Sequence, residues 1–228
     1  MAGSGRQRFE KKYLIDIDTA CILKQRASYV MKPDSNGKNG EYHISSLYFD
    51  DQYNTAFYEK QNGVSGREKY RVRYYNGDTG RLRLERKLKR GEMVLKEGTA
   101  LEPEHYQMMC RAEYSFMSGE SNPVYESFYT SNITGRMKPA VNIGYNRLAY
   151  AYPAGNVRMT FDSGITAGNP MSGFTFPVIP EDRLILEIKY SRFIPEVITG
   201  LLTGIQFTQQ LALSKFAMSI LALQGVYV

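Results

Sequence analysis

Apolar and polar residues alternate with period two in several separated stretches, the pattern of strands with one buried face. In 69–75, Lys69, Arg71 and Arg73 share one face, with Tyr70, Val72 and Tyr74 opposite. After Asn76-Gly77-Asp78, which reads as a hairpin turn longer than two residues, Arg81, Arg83, Glu85, Lys87 and Lys89 oppose Leu82, Leu84 and Leu88. Arg8, Glu10 and Lys12 alternate with Phe9 and Tyr13. Arg158, Thr160 and Asp162 alternate with Val157, Met159 and Phe161, and Glu187 and Lys189 with Leu186, Ile188 and Tyr190. At least five strands therefore carry mixed charges on one face.

Helical spacing appears between them. Asp18 is placed to cap a helix reaching about Met31, with Leu23, Ala27 and Val30 on one side. Glu102–Met117, with Pro103 in its first turn, is a second helix, and Asn122–Ser131 a third. Pro195–Leu202 and Gln209–Leu223 are strongly apolar helices, read as buried core. Asp34–Gly40 is a polar loop and Met171–Pro180 a long Gly, Phe and Pro loop. No internal repeat or Pro-rich linker divides the chain. The class is α+β.

With 228 residues, 43% hydrophobic and 23% charged, the chain is neither disordered nor collagen-like. No stretch reaches the roughly 18 apolar residues of a membrane span. Cys21 and Cys110 make no CxxC pair, and with only two histidines, His43 and His105, a zinc site is not expected. Both cysteines are expected on apolar helix faces, His43 in a loop and His105 on a helix surface. Met1–Gln7 lacks the apolar run of a secretory leader and is read as a tail or cloning remnant. The expected compartment is the cytoplasm, and the domain division is a tail at 1–7 and one domain at 8–228.

Charge changes the picture. Lys60–Lys96 holds twelve basic residues against four acids, whereas the whole chain carries only +6. Such a concentration points to a polyanionic partner. A solvated sheet face would favour Lys, Glu, Thr and Ser, but this one is dense in Arg. Closing the strands into a barrel turns these faces inward. Two like charges about 6 Å apart cost roughly 2–3 kcal/mol at an effective dielectric near 20, so a lumen this basic calls for a bound anion.

The ordered segments RFEKKY, SLYFDD, YRVRYY, LERK, YNRLAY, VRMTFD, LEIKY and LSKF run from Arg8 to Phe216. In this set the chain resembles the polyphosphate-polymerase (VTC) domain of the vacuolar transporter chaperone proteins and their bacterial homologues, within the CYTH-like triphosphate tunnel metalloenzymes. The resemblance implies an antiparallel β-barrel, or tunnel, of about eight strands with a charged lumen and flanking helices. It assigns catalytic roles to Lys12, Arg71, Arg73, Arg147 and Arg158. Phosphate binding falls to Lys60, Lys87, Lys96, Lys189 and Lys215, and Glu187 would be the ligand of Mn²⁺ or Mg²⁺. The first strand reads Arg8-Phe-Glu10-Lys-Lys12 where the cyclase and thiamine-triphosphatase branch has ExExK, which favours the polymerase-like branch.

The activity implied is transfer of the γ-phosphoryl group of ATP to a growing inorganic polyphosphate chain. No P-loop or kinase glycine loop occurs, so side chains must hold the phosphates. A chain-end phosphate is already anionic near neutral pH and needs no general base, whereas hydrolysis does. Glu10, Glu85 and Asp162 are the candidates for that base or for counter-charges. The alternatives are a tripolyphosphate or nucleoside-triphosphate hydrolase in the same tunnel and a non-catalytic polyphosphate-binding module. Nucleic acid ranks last, because Tyr70 and Tyr74 face away from Arg71 and Arg73. The expected partners are ATP and polyphosphate or triphosphate. There is no membrane span in the chain, and a membrane-protein partner is left open. Met171–Pro180 would rim the tunnel mouth.

Overall fold

The structure is a computed structural model and describes residues 9–91, 93–206 and 213–226. The expectation for 1–7 lies outside the described residues. In chain order the elements are β1 (Phe9–Asp16), α1 (Ile17–Val30), β2 (Lys32–Pro33), β3 (Glu41–Asp50), α2 (Thr55–Gln61), β4 (Gly66–Tyr75), β5 (Leu82–Arg90), β6 (Met93–Leu101) and α3 (Pro103–Cys110). Then come a 3-10 turn (Ser115–Met117), α4 (Pro123–Gly135), β7 (Lys138–Tyr152), a second 3-10 turn (Ala154–Asn156), β8 (Val157–Gly168), β9 (Thr175–Pro177), β10 (Arg183–Tyr190), α5 (Glu196–Leu201) and α6 (Lys215–Leu223).

The strands form one antiparallel sheet in the order β1-β10-β8-β7-β3-β4-β5-β6, with β2 on β7 and β9 on β8. This is the expected α+β sheet of about eight strands flanked by helices. The ladder stays open, with β1 and β6 as its edges. The sheet nevertheless curls strongly. Lys96 of β6 lies within electrostatic range of Lys189, Glu10 and Glu187 at the opposite end of the strand order.

The alternation explains the layering. Tyr13, Ile15, Met159, Phe161, Leu184, Leu186 and Ile188 point outward and are covered by α1, through Ala20, Leu23 and Ala27, and by α5, through Ile198 and Leu201. Leu47, Phe49, Tyr70, Val72, Leu82 and Leu84 pack under Met109 of α3 and Val124 and Phe128 of α4. A third apolar cluster lies on the inner face, where Phe216, Ala217 and Met218 of α6 and Phe57 of α2 meet Ile143, Tyr145, Ile165 and Ile185. A helix thus fills part of the lumen. Apolar side chains line that part and charged ones the remainder.

Several local expectations are corrected. The cap of α1 is Asp16, whose Oδ1 accepts the Thr19 N–H at 2.7 Å; β1 runs straight into the helix, so the cap falls two residues before Asp18. Residues 102–117 split into α3 and a 3-10 turn around Ala112, whose φ is +58°. Asn122 caps α4 through the Val124 N–H, and the helix extends to Gly135. The last helix starts at Lys215, capped by Ser214, while the expected portion at 209–212 lies outside the described residues. Met171–Pro180 is not all loop: it contains β9, and Val178 and Ile179 are buried beside α6. His43 lies on β3 rather than in a loop, and Cys21 is exposed. Among the described residues no helix is long and apolar enough to cross a membrane.

Candidate functional site

Register brings the sequence-derived residues to one face. Side chains of directly opposed strand residues point the same way, and such pairs recur between neighbouring strands across the sheet. Lys12 opposes Glu187, and Glu187 opposes Thr160. Lys189 opposes Arg158, Asp162 opposes Arg147, and Arg147 opposes Tyr42. Along β3, Ser46 opposes Arg73 and Tyr48 opposes Arg71. Arg71 opposes Glu85, Lys69 opposes Lys87, and Lys87 opposes Lys96. Lys60 comes from the last turn of α2 and Lys215 from the start of α6.

Part of this charge is compensated internally. Asp162, fully buried, accepts two hydrogen bonds from Arg147 (Nε to Oδ1 2.6 Å, Nη2 to Oδ2 2.7 Å) and a third from Lys215 Nζ at 2.6 Å. Burial would raise the Asp162 pKa, but Lys215 and Arg147 outweigh it and hold the group below the usual carboxylate range. Arg71 donates Nε and Nη2 to Glu85 Oε2 at 2.7 and 2.6 Å, and Nη1 to the Tyr48 hydroxyl at 2.8 Å. Burial acts to raise the Tyr48 phenol, yet Arg71, Arg73 and Lys215 pull it below its ordinary value. Arg158 Nη2 donates to the Tyr42 hydroxyl at 2.6 Å and pairs with Asp34 Oδ2 at 2.5 Å, while its buried Nε has no partner among the described residues.

A second group surrounds two carboxylates. Glu187 is buried, pairs with Lys189, and lies beside Glu10. Its burial opposes ionisation, but Lys189, Lys12 and Lys215 keep it well below the usual range. Lys12 Nζ reaches Glu10 Oε1 at 2.7 Å and the Leu213 carbonyl at 3.3 Å. Burial lowers its pKa, but Glu187 and Glu10 raise it by more.

A further five cations of this face, Lys60, Lys69, Arg73, Lys87 and Lys96, have no ion-pair partner among the described residues. Lys69, Lys87 and Lys96 stand in register on three adjacent strands, an arrangement that like charges disfavour. Burial and the neighbouring Lys60 and Lys87 press Lys69 down to about 7, and burial presses Lys87 down to about 8. Arg73 makes one hydrogen bond, to Ser46 Oγ at 3.3 Å, which leaves most of its five N–H donors free.

The structure also gathers residues that the sequence reading left out of the site. Lys69 shares the alternation of Arg71 and Arg73, and that signal was sufficient to include it. Tyr42, Tyr48 and Ser46 come from β3, whose pattern is too apolar to advertise a polar face. Asp34 comes from a loop and carries no period at all. Tyr70 is buried on the outer face, with its hydroxyl 2.6 Å from Ser127 Oγ, so it is turned away from the basic groups as expected.

A family model described as the VTC domain matches residues 7–224. The chain belongs to the VTC domain family. A comparison with curated proteins finds no match. Among solved structures, a Bacillus halodurans protein assigned provisionally as an adenylate cyclase is similar, at 13% identity and a TM-score of 0.54, over 90% of this chain and 94% of that one. The PH1819 protein from Pyrococcus horikoshii is similar at 12% identity and a TM-score of 0.46, over 95% of this chain and 99% of that one. The first similarity is one of fold alone, and the family match supports a polyphosphate- or triphosphate-related protein.

Proposed function

We propose that this protein transfers the γ-phosphoryl group of ATP to the end of an inorganic polyphosphate chain bound along the inner face of the sheet. The observation that carries the reading is the set of cations with no ion-pair partner among the described residues, Lys60, Lys69, Arg73, Lys87 and Lys96, facing inward beside a carboxylate pair. A linear polyanion neutralises such a row and relieves the repulsion among its members. Membership of the VTC domain family supports the same reading.

The donor set fits a divalent ion. Among the described residues no group of three or more His, Cys, Asp or Glu is placed to hold a metal, but Glu187 and Glu10 adjoin each other. Mg²⁺ and similar hard ions are commonly held by one or two carboxylates together with substrate phosphates. Such an ion, if held by Glu187, would supply charge neutralisation at the transferring phosphate.

The chain's own residues supply the rest. Arg73 offers paired N–H donors to phosphate oxygens, and the lysines hold further phosphates as point charges. Phosphoryl transfer asks mainly for position and charge stabilisation, and the terminal oxygen of the acceptor is already anionic near neutral pH. The acids that could activate water are engaged: Glu10 with Lys12, Glu85 with Arg71, and Asp162 with Arg147 and Lys215. That engagement favours transfer over hydrolysis.

The test is incubation with γ-labelled ATP and Mn²⁺, with products resolved by size. Labelled chains longer than triphosphate, with release of ADP, are expected, and Glu187→Gln should stop turnover while sparing tripolyphosphate binding. Labelled orthophosphate as the sole product would replace the polymerase with a hydrolase. No turnover with any divalent ion, but retained tripolyphosphate binding, would leave a binding module.

A further inference from the structure

Lys69 is a buried lysine that the resemblance assigned no role. Its ammonium lies 4.3 Å from the centre of the Phe216 ring of α6, and it opposes Lys87, which opposes Lys96. The charged groups acting on it from the packed elements are Lys60 of α2, Lys87 of β5, Arg67 on its own strand and Asp50 of β3. Asp50 is not available as a counter-ion. Its Oδ1 accepts the N–H groups of Asp51 and Ala56, each at 2.9 Å, and its Oδ2 that of Phe57 at 3.1 Å, so it is spent on the start of α2. Lys87 in turn is acted on by Glu10, Lys12, Lys96 and Arg71; Glu10 is paired with Lys12, Glu85 with Arg71, and Lys215 of α6 with Asp162.

We infer that Lys69, with Lys87, forms a further phosphate-binding subsite against α6, and that this pair takes up a proton when a phosphate chain settles on it. The inference rests on the proposed function and adds both a residue and a regulatory property to the site. The physical cause is that Lys69, walled by Phe216 and aligned with Lys87 and Lys96, has no free carboxylate of its own, whereas Glu10 acts on Lys87 and Lys96. Burial and like charge therefore work against its proton in a low-dielectric lumen. An opposite charge within about 4–6 Å restores the protonated form. Burial and its basic neighbours bring Lys69 down to about 7 in the ligand-free protein, so near pH 7 its protonation follows occupancy of the site. Below that pH the site is fully charged before the ligand arrives, and binding takes up no proton there.

The test is calorimetric titration of the full chain with sodium tripolyphosphate at pH 7, in two buffers of different ionisation enthalpy. The difference between buffers gives the protons taken up on binding. Wild type should take up about half a proton more than Lys69→Met, because a group titrating near 7 is half protonated beforehand and fully protonated afterwards. Lys69→Met should also bind about tenfold more weakly, about 1.4 kcal/mol. Lys69→Arg, permanently charged, should keep most of the affinity and lose the extra proton. Proton uptake by the ligand itself is common to all three proteins and cancels. Lys69→Met with the affinity and proton uptake of wild type would overturn the inference while leaving the proposed function standing. Failure of wild type to bind tripolyphosphate would overturn both.

Discussion

Asp162 offers the sharpest test of how the inner face is held together. Its carboxylate is fully buried and neutralises two cations of low exposure, Arg147 and Lys215. Asp162→Ala leaves both charges without their partner. Breaking a buried ion pair from one side costs about 3–5 kcal/mol, and for a chain of this size each kcal/mol lowers the melting midpoint by about 2–4 °C. A loss of roughly 10 °C is therefore expected at pH 7, read by calorimetry or by chemical denaturation. The sign with pH follows from the depressed Asp162 pKa. Its stabilisation is present above the unfolded carboxylate value, about 3.9, and disappears as pH falls through the lower folded value, so wild type and variant should converge in strong acid. Replacing the whole set, as Asp162→Leu with Arg147→Met and Lys215→Met, should recover much of the loss, since apolar groups of similar volume often match a buried ion pair. A loss below about 1 kcal/mol for Asp162→Ala at pH 7, or a gap between wild type and variant unchanged into strong acid, would refute the argument.

Further expectations concern the ligand and the solvent. Asp34 pairs with Arg158 at 2.5 Å where a phosphate oxygen would otherwise sit, so Asp34→Asn should tighten tripolyphosphate binding by about three- to tenfold, a charge-assisted hydrogen bond contributing about 1.5–3 kcal/mol before compensation; weaker binding in a titration would show instead that Asp34 positions Arg158. Stability of the ligand-free protein should rise from pH 7 toward pH 9.5. Lys69 and Lys87 titrate near 7 and 8 when folded and near their ordinary value of 10.5 when unfolded, so the unfolded chain binds more protons across that window and stability grows with pH. Denaturation at three pH values checks it, and a flat or falling profile would contradict the burial of these lysines without counter-ions.

Much of this arrangement was legible in the alternation. The period-two pattern placed Arg71, Arg73, Lys87, Arg158, Glu187 and Lys189 on the faces they occupy, because a strand's side chains can only alternate. It also separated Tyr70 and Tyr74 from the arginines. Helix limits were less legible. Asp16 rather than Asp18 caps α1 because β1 supplies an extended residue immediately before the helix, and only the register of β1 against β10 fixes where the strand stops. Met171–Pro180 has loop composition, yet Val178 and Ile179 are buried because α6 returns to cover them.

The pairing of charges was not legible at all. Asp34 meets Arg158, Lys215 meets Asp162, and Tyr48 meets Arg71 through contacts between segments far apart in the chain. By itself the sequence determined the fold class, the two-faced strands and the basic character of one face, since these follow from local periodicity and composition. The tertiary structure alone decided which cations are neutralised and which remain free for a ligand. The physical reason is that the cost of a buried charge depends on what lies within a few ångströms of it, and that distance is set by strand order, register and the return of α6.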